Sequence, residues 1–366
     1  MRKWMSIILS FVMVLVVIGL VWFFFIRTGT MFGPEPPLTS DSGEKFGEEI
    51  SKINPDLPID DDNIPPPSAS IFGPREITIT NGVKHSVPLD EILGGGPEKD
   101  GIPSIDNPTF VSIENADFIS DSEPGIAVSK NGIDRFYPFQ VMVWHEIVND
   151  TFGDDRVLVT YCPLCFSGIV FDPLVEGERV EFGTSGKLWQ SNLVMYDRKT
   201  DTYWSQVLGE AIHGKLVGQK LKVLPSDMTQ FGVWKKSHSN GTVLSKDTGI
   251  NRLYGYDPYG SQGYYTDHDQ IIVPVRHADD RVENKTLILG LIIDGKAKAY
   301  NPATVKEVGE IVDKFAGKTI VARYVDEIDA VRLFERGAGG KLTRLNPFPN
   351  YWFSWVAAHP DTEVLK

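Results

Sequence analysis

The first hydrophobic pattern along the chain is an unbroken apolar run over residues 5–26. At ~1.5 Å per residue, a helix of this length crosses the ~30 Å hydrocarbon core of a bilayer. Arg2 and Lys3 precede the run and acidic residues follow it, which places the N-terminus in the cytoplasm. Because RTGTMFGP is a poor cleavage site, the pattern predicts an uncleaved, single-pass signal anchor over residues 1–27, with the bulk of the chain extracytoplasmic at the cell membrane.

Residues 28–75 contain few apolar clusters and are rich in proline and acidic residues, as in PEPP and INPDLPIDDDNIPPP. A segment of this composition buries too little apolar surface to offset the entropy of ordering. It predicts an extended tether. The alternative is that parts of it lie as an irregular arm on the domain that follows.

Alternating apolar and polar positions begin at Glu76 with EITI, a strand pattern. Two apolar runs then flank Asn131-Gly132, the strongest short-range hairpin signal. FQVMVWHEIVND predicts a short helix or a buried strand, and RVLVTY predicts a strand that runs into Cys162. The patterns together predict a β-rich α+β fold.

The pattern that starts at Gly125 recurs in a shorter copy that starts at Gly290. The recurrence predicts an internally duplicated unit, with a first half over residues 76–244, a Gly- and Tyr-rich connecting loop over 245–289 and a second, shorter half over 290–366. The alignment pairs Pro138 with Pro302, Glu146 with Glu310, Tyr161 with Tyr324, Trp234 with Trp355, and His238 with His359.

The two halves also separate scaffold from chemistry. Residues present in both halves most simply serve folding, which assigns Glu146, His238 and His359 to the scaffold. Residues present in the first half alone are candidates for a site. These are His145, Cys162, Cys165 and the segment FGTSGKLWQSNLVMYDRKTDTYWSQ, which has no counterpart in the second half.

Composition narrows the function classes. A formal charge of -13 over 366 residues argues against wrapping a nucleic-acid backbone, which needs clustered Lys and Arg. Two cysteines are too few for a disulfide scaffold, so the fold depends on packing and the thiols are available for chemistry.

Several separated motifs resemble a known family. WHEIVND, TYCPLC, GTSGKL, NLVMYDR, the Trp-x-Gln of YWSQ and a closing W-x-x-x-H are similar, in this order, to the bacterial and archaeal family called domain of unknown function 3179. The resemblance runs from about Asp100 to the C-terminus. It implies that Cys162, Cys165 and His145 belong to one site, but it implies no reaction, because that family has no established activity.

A Cys-x-x-Cys pair followed by a glycine-containing turn and a strand is typical of a metal knuckle, and thiolates accept Zn²⁺ or Cu⁺. His145 is the natural third ligand to Cys162 and Cys165. A fourth ligand could come from His213, Met195, Asp197 or water. Three protein ligands would leave an open position, as in catalytic zinc sites. Metal binding is therefore the leading interpretation.

Two alternatives stay open. The first is a thiol-disulfide oxidoreductase that cycles Cys162 and Cys165, although a thioredoxin-like site begins a helix and FSGIVFDP predicts a turn and a strand. The second is an interaction module in which the pair is only a structural disulfide clip. The sequence does not identify a substrate, a protein or small-molecule partner, the metal or the oligomeric state.

Polar residues downstream of the cysteines complete the candidate site. Ser185 and Lys187 could form a nucleophile pair, although a glycine-flanked turn explains them more simply. Together with four neighbours they could line a cleft beside the thiols; the six residues are Ser185, Lys187, Tyr196, Asp197, Trp204 and Gln206.

Overall fold

The computed structural model describes residues 76–365. The predicted signal anchor and tether lie outside the described residues. Between residues 76 and 365, no helix is long and apolar enough to span a bilayer.

Strands dominate the described chain. Its four α-helices are α1 (Phe139–Met142), α2 (Phe231–Ser237), α3 (Pro302–Val308) and α4 (Trp352–Ala358). Its strands are β1 (Thr78–Thr80), β2 (Val83–His85), β3 (Ile92–Gly94), β4 (Phe110–Ser112), β5 (Pro124–Lys130), β6 (Ile133–Pro138), β7 (Ile147–Phe152), β8 (Asp155–Cys162), β9 (Ser167–Asp172), β10 (Leu174–Val175), β11 (Glu178–Arg179), β12 (Phe182–Trp189), β13 (Asn192–Asp197), β14 (Tyr203–Ser205), β15 (Glu210–His213), β16 (Lys222–Val223), β17 (Asp227–Gln230), β18 (Thr242–Leu244), β19 (Leu287–Ile293), β20 (Lys296–Tyr300), β21 (Glu310–Phe315), β22 (Lys318–Val325), β23 (Ala330–Arg336), β24 (Leu342–Leu345), β25 (Phe348–Tyr351) and β26 (Glu363–Leu365). The expected β-rich α+β class is confirmed.

Two regions of the chain, residues 124–244 and 287–365, have the same strand order. In the first region four strands of one sheet run β17-β5-β6-β18, with β4 beyond β18, and in the second region a four-stranded sheet runs β25-β19-β20-β26. The fourth strand of each series is parallel to the third, β18 to β6 and β26 to β20. A second sheet follows in each region, in the orders β7-β8-β9-β16 and β21-β22-β23-β24.

The ladders fix which positions in the two regions correspond. The Tyr161 N–H bonds to the Glu146 carbonyl at 2.7 Å, and the Tyr324 N–H bonds to the Gly309 carbonyl at 2.8 Å. In the strand ladders Glu310 pairs with Arg323, and Ile147 pairs with Thr160. Glu310 therefore occupies the position of Ile147. The sequence alignment of Glu146 with Glu310 is therefore wrong by one residue, and so is that of Pro138 with Pro302, because α1 begins at Phe139 and α3 at Pro302. Glu146 corresponds to Gly309.

The first region contains a segment that the second lacks. Between β9 and β16 lie β10 to β15, whereas β23 is followed directly by β24. Strands β12 to β15 join β1, β2 and β3 in a seven-stranded sheet with the order β1-β2-β15-β14-β13-β12-β3. Every residue of β13 within this sheet comes from NLVMYDR.

The predicted connecting loop, residues 245–289, is irregular up to the start of β19 at Leu287, apart from one 3₁₀ turn at Gly260–Gln262. We call residues 245–286 the strap. An irregular segment of this length is uncommon in a compact domain and is usually functional. Tyr264 of the strap is only 1% exposed and joins the same apolar cluster as Cys162 and Cys165. The strap is therefore part of the core around the cysteines.

Candidate functional site

The two cysteines lie at a sharp change of direction between neighbouring strands. Cys162 ends β8, Pro163–Cys165 forms one 3₁₀ turn, and Phe166 adopts a left-handed conformation (φ 48°) before β9 begins. Pro163 suits this place because it has no N–H to leave unpaired at the start of the turn. The predicted order of strand, turn and strand is confirmed. Both cysteines are free thiols, and they are 1% and 0% exposed.

The amide group of Asn192 points at one of the sulfurs. Its Nδ2 donates to Cys165 Sγ at 2.9 Å and to Gln206 Oε1 at 3.0 Å. Its Oδ1 accepts from the Val207 N–H at 2.9 Å. Every hydrogen-bonding atom of the Asn192 side chain thus has a partner, and its orientation is fixed. The Ser354 hydroxyl, which donates to the Gln190 carbonyl at 2.9 Å, lies close enough to Cys165 to lower the pKa of its thiol.

Gln206 holds Asn192 in place from behind. Its Nε2 donates to Thr160 Oγ1 at 2.9 Å and to the Ser167 carbonyl at 3.1 Å. Thr160 in turn donates to the Ile169 carbonyl at 2.7 Å. All of these atoms are buried, and a buried polar network of this kind is stable only when its members are satisfied. The network is a rigid polar support beneath the Cys162–Cys165 pair, hereafter the dithiol.

Burial and hydrogen bonding act in opposite directions on the Cys165 thiol. Burial raises its pKa well above the usual range, and the neighbouring Cys162 raises the pKa further, while Asn192 and Ser354 lower it. The net effect keeps Cys165 protonated at neutral pH. The same donors would stabilise negative charge on sulfur once another group compensates for burial.

The strap closes over the dithiol. The Tyr264 hydroxyl donates to the Leu164 carbonyl, inside the Cys-x-x-Cys turn, at 2.6 Å. Lys285 holds Tyr264 from the other side, donating to the carbonyls of Tyr264 and Asp267 and lying 3.3 Å from the centre of the Tyr264 ring. Burial lowers the pKa of Lys285 to about 8. The dithiol is thus sealed by a segment a hundred residues away in the sequence.

Glu146 is a buried acid that the sequence alignment assigned to the scaffold. It is 8% exposed, and burial raises its pKa to about 8. Its φ of 58° is unfavourable for a residue with a side chain, and the second region has Gly309 at this place. Burial raises the pKa of Tyr259 in the strap, and the negative charges of ionised Glu146 and Cys162 would raise it further. A left-handed backbone at a residue with a side chain and a buried acid with a raised pKa are both typical of functional positions.

His145 does not join the cysteines. Its Nδ1 lies 2.7 Å from the Pro103 carbonyl and its Nε2 lies 2.6 Å from the Tyr254 hydroxyl, so both ring nitrogens are occupied. Burial lowers the pKa of His145, which favours the neutral ring. In residues 76–365 no group of three or more His, Cys, Asp or Glu side chains is placed to hold a metal ion.

The other predicted metal ligands lie elsewhere. His213 lies on β15 opposite His85, with its ring 5.3 Å from that of Tyr203, and burial lowers its pKa. Asp197 accepts from the Thr200 N–H and from Trp204 Nε1, which closes a turn after β13. Within the described part of the chain, the expected ligand set of Cys162, Cys165 and a third His or Asp is not assembled.

The six residues predicted to line a cleft are dispersed. Ser185 donates to the Val194 carbonyl at a bulge in β12, and the Lys187 side chain is exposed, as the simpler turn interpretation expects. Tyr196 donates to Asp100, and Trp204 is buried against Asp197. Gln206 is the one of the six whose described hydrogen bonds reach the dithiol network.

Sequence reasoning missed Asn192, Ser354 and Tyr264. Asn192 could have been found, because it lies in the segment unique to the first half. Ser354 and Tyr264 gave no local signal, because they reach the dithiol from distant parts of the chain.

The fold and the site define a β-rich α+β protein with a buried Cys-x-x-Cys dithiol sealed by an irregular strap. Residues 99–362 match the family described as "Protein of unknown function (DUF3179)", and the chain belongs to this family. Searches of curated proteins and of solved structures gave no match.

Proposed function

We propose that this chain is a membrane-anchored, extracytoplasmic protein whose dithiol binds one soft metal ion, and that Cu⁺ suits the site better than Zn²⁺. The observation that carries the proposal is the fixed Asn192 amide, which donates to Cys165 Sγ inside a fully satisfied buried network. An apolar core gains nothing from such a donor. Hydrogen bonds to sulfur are the usual means by which a protein tunes a metal-bound thiolate.

Ligand number favours Cu⁺. Zn²⁺ takes four protein ligands in closed sites and three in open ones, whereas Cu⁺ is stable with two thiolates. The described residues offer two adjacent thiols and no third His, Cys, Asp or Glu ligand beside them. Cys162 and Cys165 would hold Cu⁺ between their sulfurs, and the ion would supply the positive charge that lets both thiols ionise.

Charge balance suits this ligand set. Two thiols lose two protons when they bind one Cu⁺, which leaves one net negative charge in a buried site. Asn192 and Ser354 stabilise that charge on Cys165. Glu146, with a pKa of about 8, is largely protonated at neutral pH and therefore adds no opposing charge.

The test is a competition titration of the reduced, full-length chain in a neutral detergent, with Cu⁺ delivered from a coloured Cu⁺ chelator. We expect one Cu⁺ per chain in the unaltered protein and none in Cys162→Ser/Cys165→Ser. Asn192→Leu should weaken binding about 10–100-fold, the usual effect of losing a group that orients a metal ligand.

His145→Ala is the matched control. His145 is buried and close in sequence, but its ring nitrogens are bonded to Pro103 and Tyr254. The variant should keep its Cu⁺ affinity. Equal Cu⁺ binding by the unaltered chain and the double serine variant would refute the proposal, whereas loss of binding in His145→Ala would restore the three-ligand interpretation.

A second candidate is thiol-disulfide exchange, which the contact between the two thiol side chains favours. The dithiol would give two electrons and two protons to a substrate disulfide, which would leave as two thiols while a Cys162–Cys165 bond forms. The raised pKa of Cys165 and the closed strap both slow this reaction. Rapid oxidation by glutathione disulfide, with no Cu⁺ bound, would favour this candidate.

Two further proposals concern the chain as a whole. The signal anchor rests on the apolar run over residues 5–26. It requires that a protease added outside intact cells degrade the C-terminal part of the chain, and full protection would contradict it.

The internal duplication is supported by the matching strand orders of residues 124–244 and 287–365. Failure of the corresponding strands to superpose would contradict this second proposal.

A further inference from the structure

A cavity of about 130 Å³ lies where the two regions meet, apart from the dithiol network. Asp227 and Met228 of β17 form one side, and residues of β23 and β24 form the other. The volume is close to the ~150 Å³ of an engineered cavity that holds a benzene-sized molecule. The cavity therefore has room for a ligand of only a few heavy atoms.

Two arginines and one aspartate form its polar end. Arg332 donates through Nε and Nη2 to both oxygens of Asp227, at 3.1 and 2.6 Å. Arg344 Nη2 donates to Asp227 Oδ1 at 2.8 Å and to the Ser226 carbonyl at 2.7 Å. One carboxylate thus faces two guanidinium groups.

Asp227 can balance the charge of only one of the two arginines, so one positive charge is not neutralised within the cavity. Asp329 also lines the cavity, but it is paired with Lys306 and Tyr324. Glu327 is exposed and is not part of the cavity wall. Arg344 Nε is buried and has no hydrogen-bond partner among the described residues. A buried donor without an acceptor is costly, and an anion would remove both this cost and the excess charge.

Apolar side chains form the remaining wall, among them Leu287, Leu289, Leu345 and Pro349. We propose that this cavity binds a small monocarboxylate with a short hydrocarbon chain. The carboxylate lies against Arg344, and the chain lies against the leucines and the proline. Inorganic phosphate fits less well, because it has no apolar part and would bring two negative charges beside Asp227.

Calorimetric titration of the full-length chain in a neutral detergent tests the proposal with three probes. Sodium butyrate carries both features, butyramide has the same shape without the charge, and phosphate has charge without the chain. We expect one butyrate per chain, with butyramide and phosphate at least about tenfold weaker. Affinity for butyramide or for phosphate equal to that for butyrate, or no butyrate binding at millimolar concentration, overturns the proposal.

The variant Arg344→Met tests whether butyrate binds in this cavity. Arg332 still pairs with Asp227 in this variant, and butyrate affinity should fall about tenfold or more. Arg179→Met is the matched control, because Arg179 forms a similar two-point pair with Asp172 outside the cavity. A folded Arg344→Met protein with unchanged butyrate affinity overturns the assignment. If that variant does not fold, the three probes on the unaltered chain still decide.

Discussion

The first and second regions share one strand order, but only the first carries the two cysteines. At the corresponding turn after β8 or β22, the first region has Cys162 and Cys165, and the second begins a 3₁₀ turn after Val325. Phe166 and Asp329 then adopt nearly the same left-handed conformation, with φ of 48° and 45°. The backbone of the turn therefore does not depend on the thiols.

The chemistry of the first region comes from a segment that the second region lacks. The segment β10 to β15 supplies Asn192, and a polar side chain, Gln206, follows β14. The second region has no such segment, and no hydrogen-bond donor of this kind is needed where Ile328 replaces Cys165. The comparison separates residues that build the fold from residues that build the site, and each prediction below tests that separation.

The largest effect is expected when the first region is given the residues of the second. Cys162→Val/Cys165→Ile should lower Cu⁺ affinity at least about 1000-fold, which is ~4 kcal/mol. The free energy of unfolding should fall by only about 1–3 kcal/mol per substitution, the usual cost of a larger side chain in a packed core, because valine and isoleucine are apolar but larger than cysteine. Chelator competition and urea unfolding measure the two quantities. Retained Cu⁺ binding, or a collapse of the fold, would show that site and scaffold are not separable here.

The next effect concerns Glu146. Its pKa of about 8 in the folded protein exceeds its ordinary value of 4.5, so the folded state keeps a proton that the unfolded state releases. The contribution of Glu146 to the free energy of unfolding is therefore fully present below pH 4.5. It is lost as the pH rises toward 8, by roughly 4 kcal/mol. In Glu146→Gln this component of the pH dependence should vanish. Urea unfolding of both proteins at pH 5, 6.5 and 8 checks it, and parallel curves would contradict the assignment.

The smallest effect is expected at the matching place in the second region. Gly309 has φ 81° and open space where a side chain would begin, so Gly309→Ala tests the backbone alone. We expect a loss of about 1 kcal/mol in the free energy of unfolding. Gly337→Ala is the control, because Gly337 has an ordinary φ of −82°. Equal stability of the two variants would mean that the position tolerates a side chain without strain, and so would weaken the case made for Glu146.

The sequence predicted those parts of the fold that depend on neighbours along the chain. The hairpin at Asn131-Gly132 joins β5 and β6, and the strand before Cys162 is β8. The segment FQVMVWHEIVND, for which helix and strand were both considered, contains α1 and then β7. Turn chemistry and period-two alternation act over a few residues, so such elements can be predicted without a structure.

The site was less predictable because its contacts are distant in sequence. Nearness along the chain suggested His145 as a ligand, yet its ring is held by Pro103 and Tyr254. Ser354 and Tyr264 lie far from the cysteines in the chain and carry no motif. Glu146 was assigned to the scaffold through a one-residue error in the alignment, which only the ladder hydrogen bonds reveal.

The closure of the dithiol by Tyr264 and Ser354 also has a consequence for the newly made chain. Protein chains are made from the N-terminus, and N-terminal parts fold first. The two cysteines are therefore made before Tyr264 and Ser354, the residues that seal them. A nascent chain exposes both thiols to ions and oxidants throughout this interval. Folding of these later residues then buries both thiols, so their access to ions and oxidants from solution is greatest while the chain is being made.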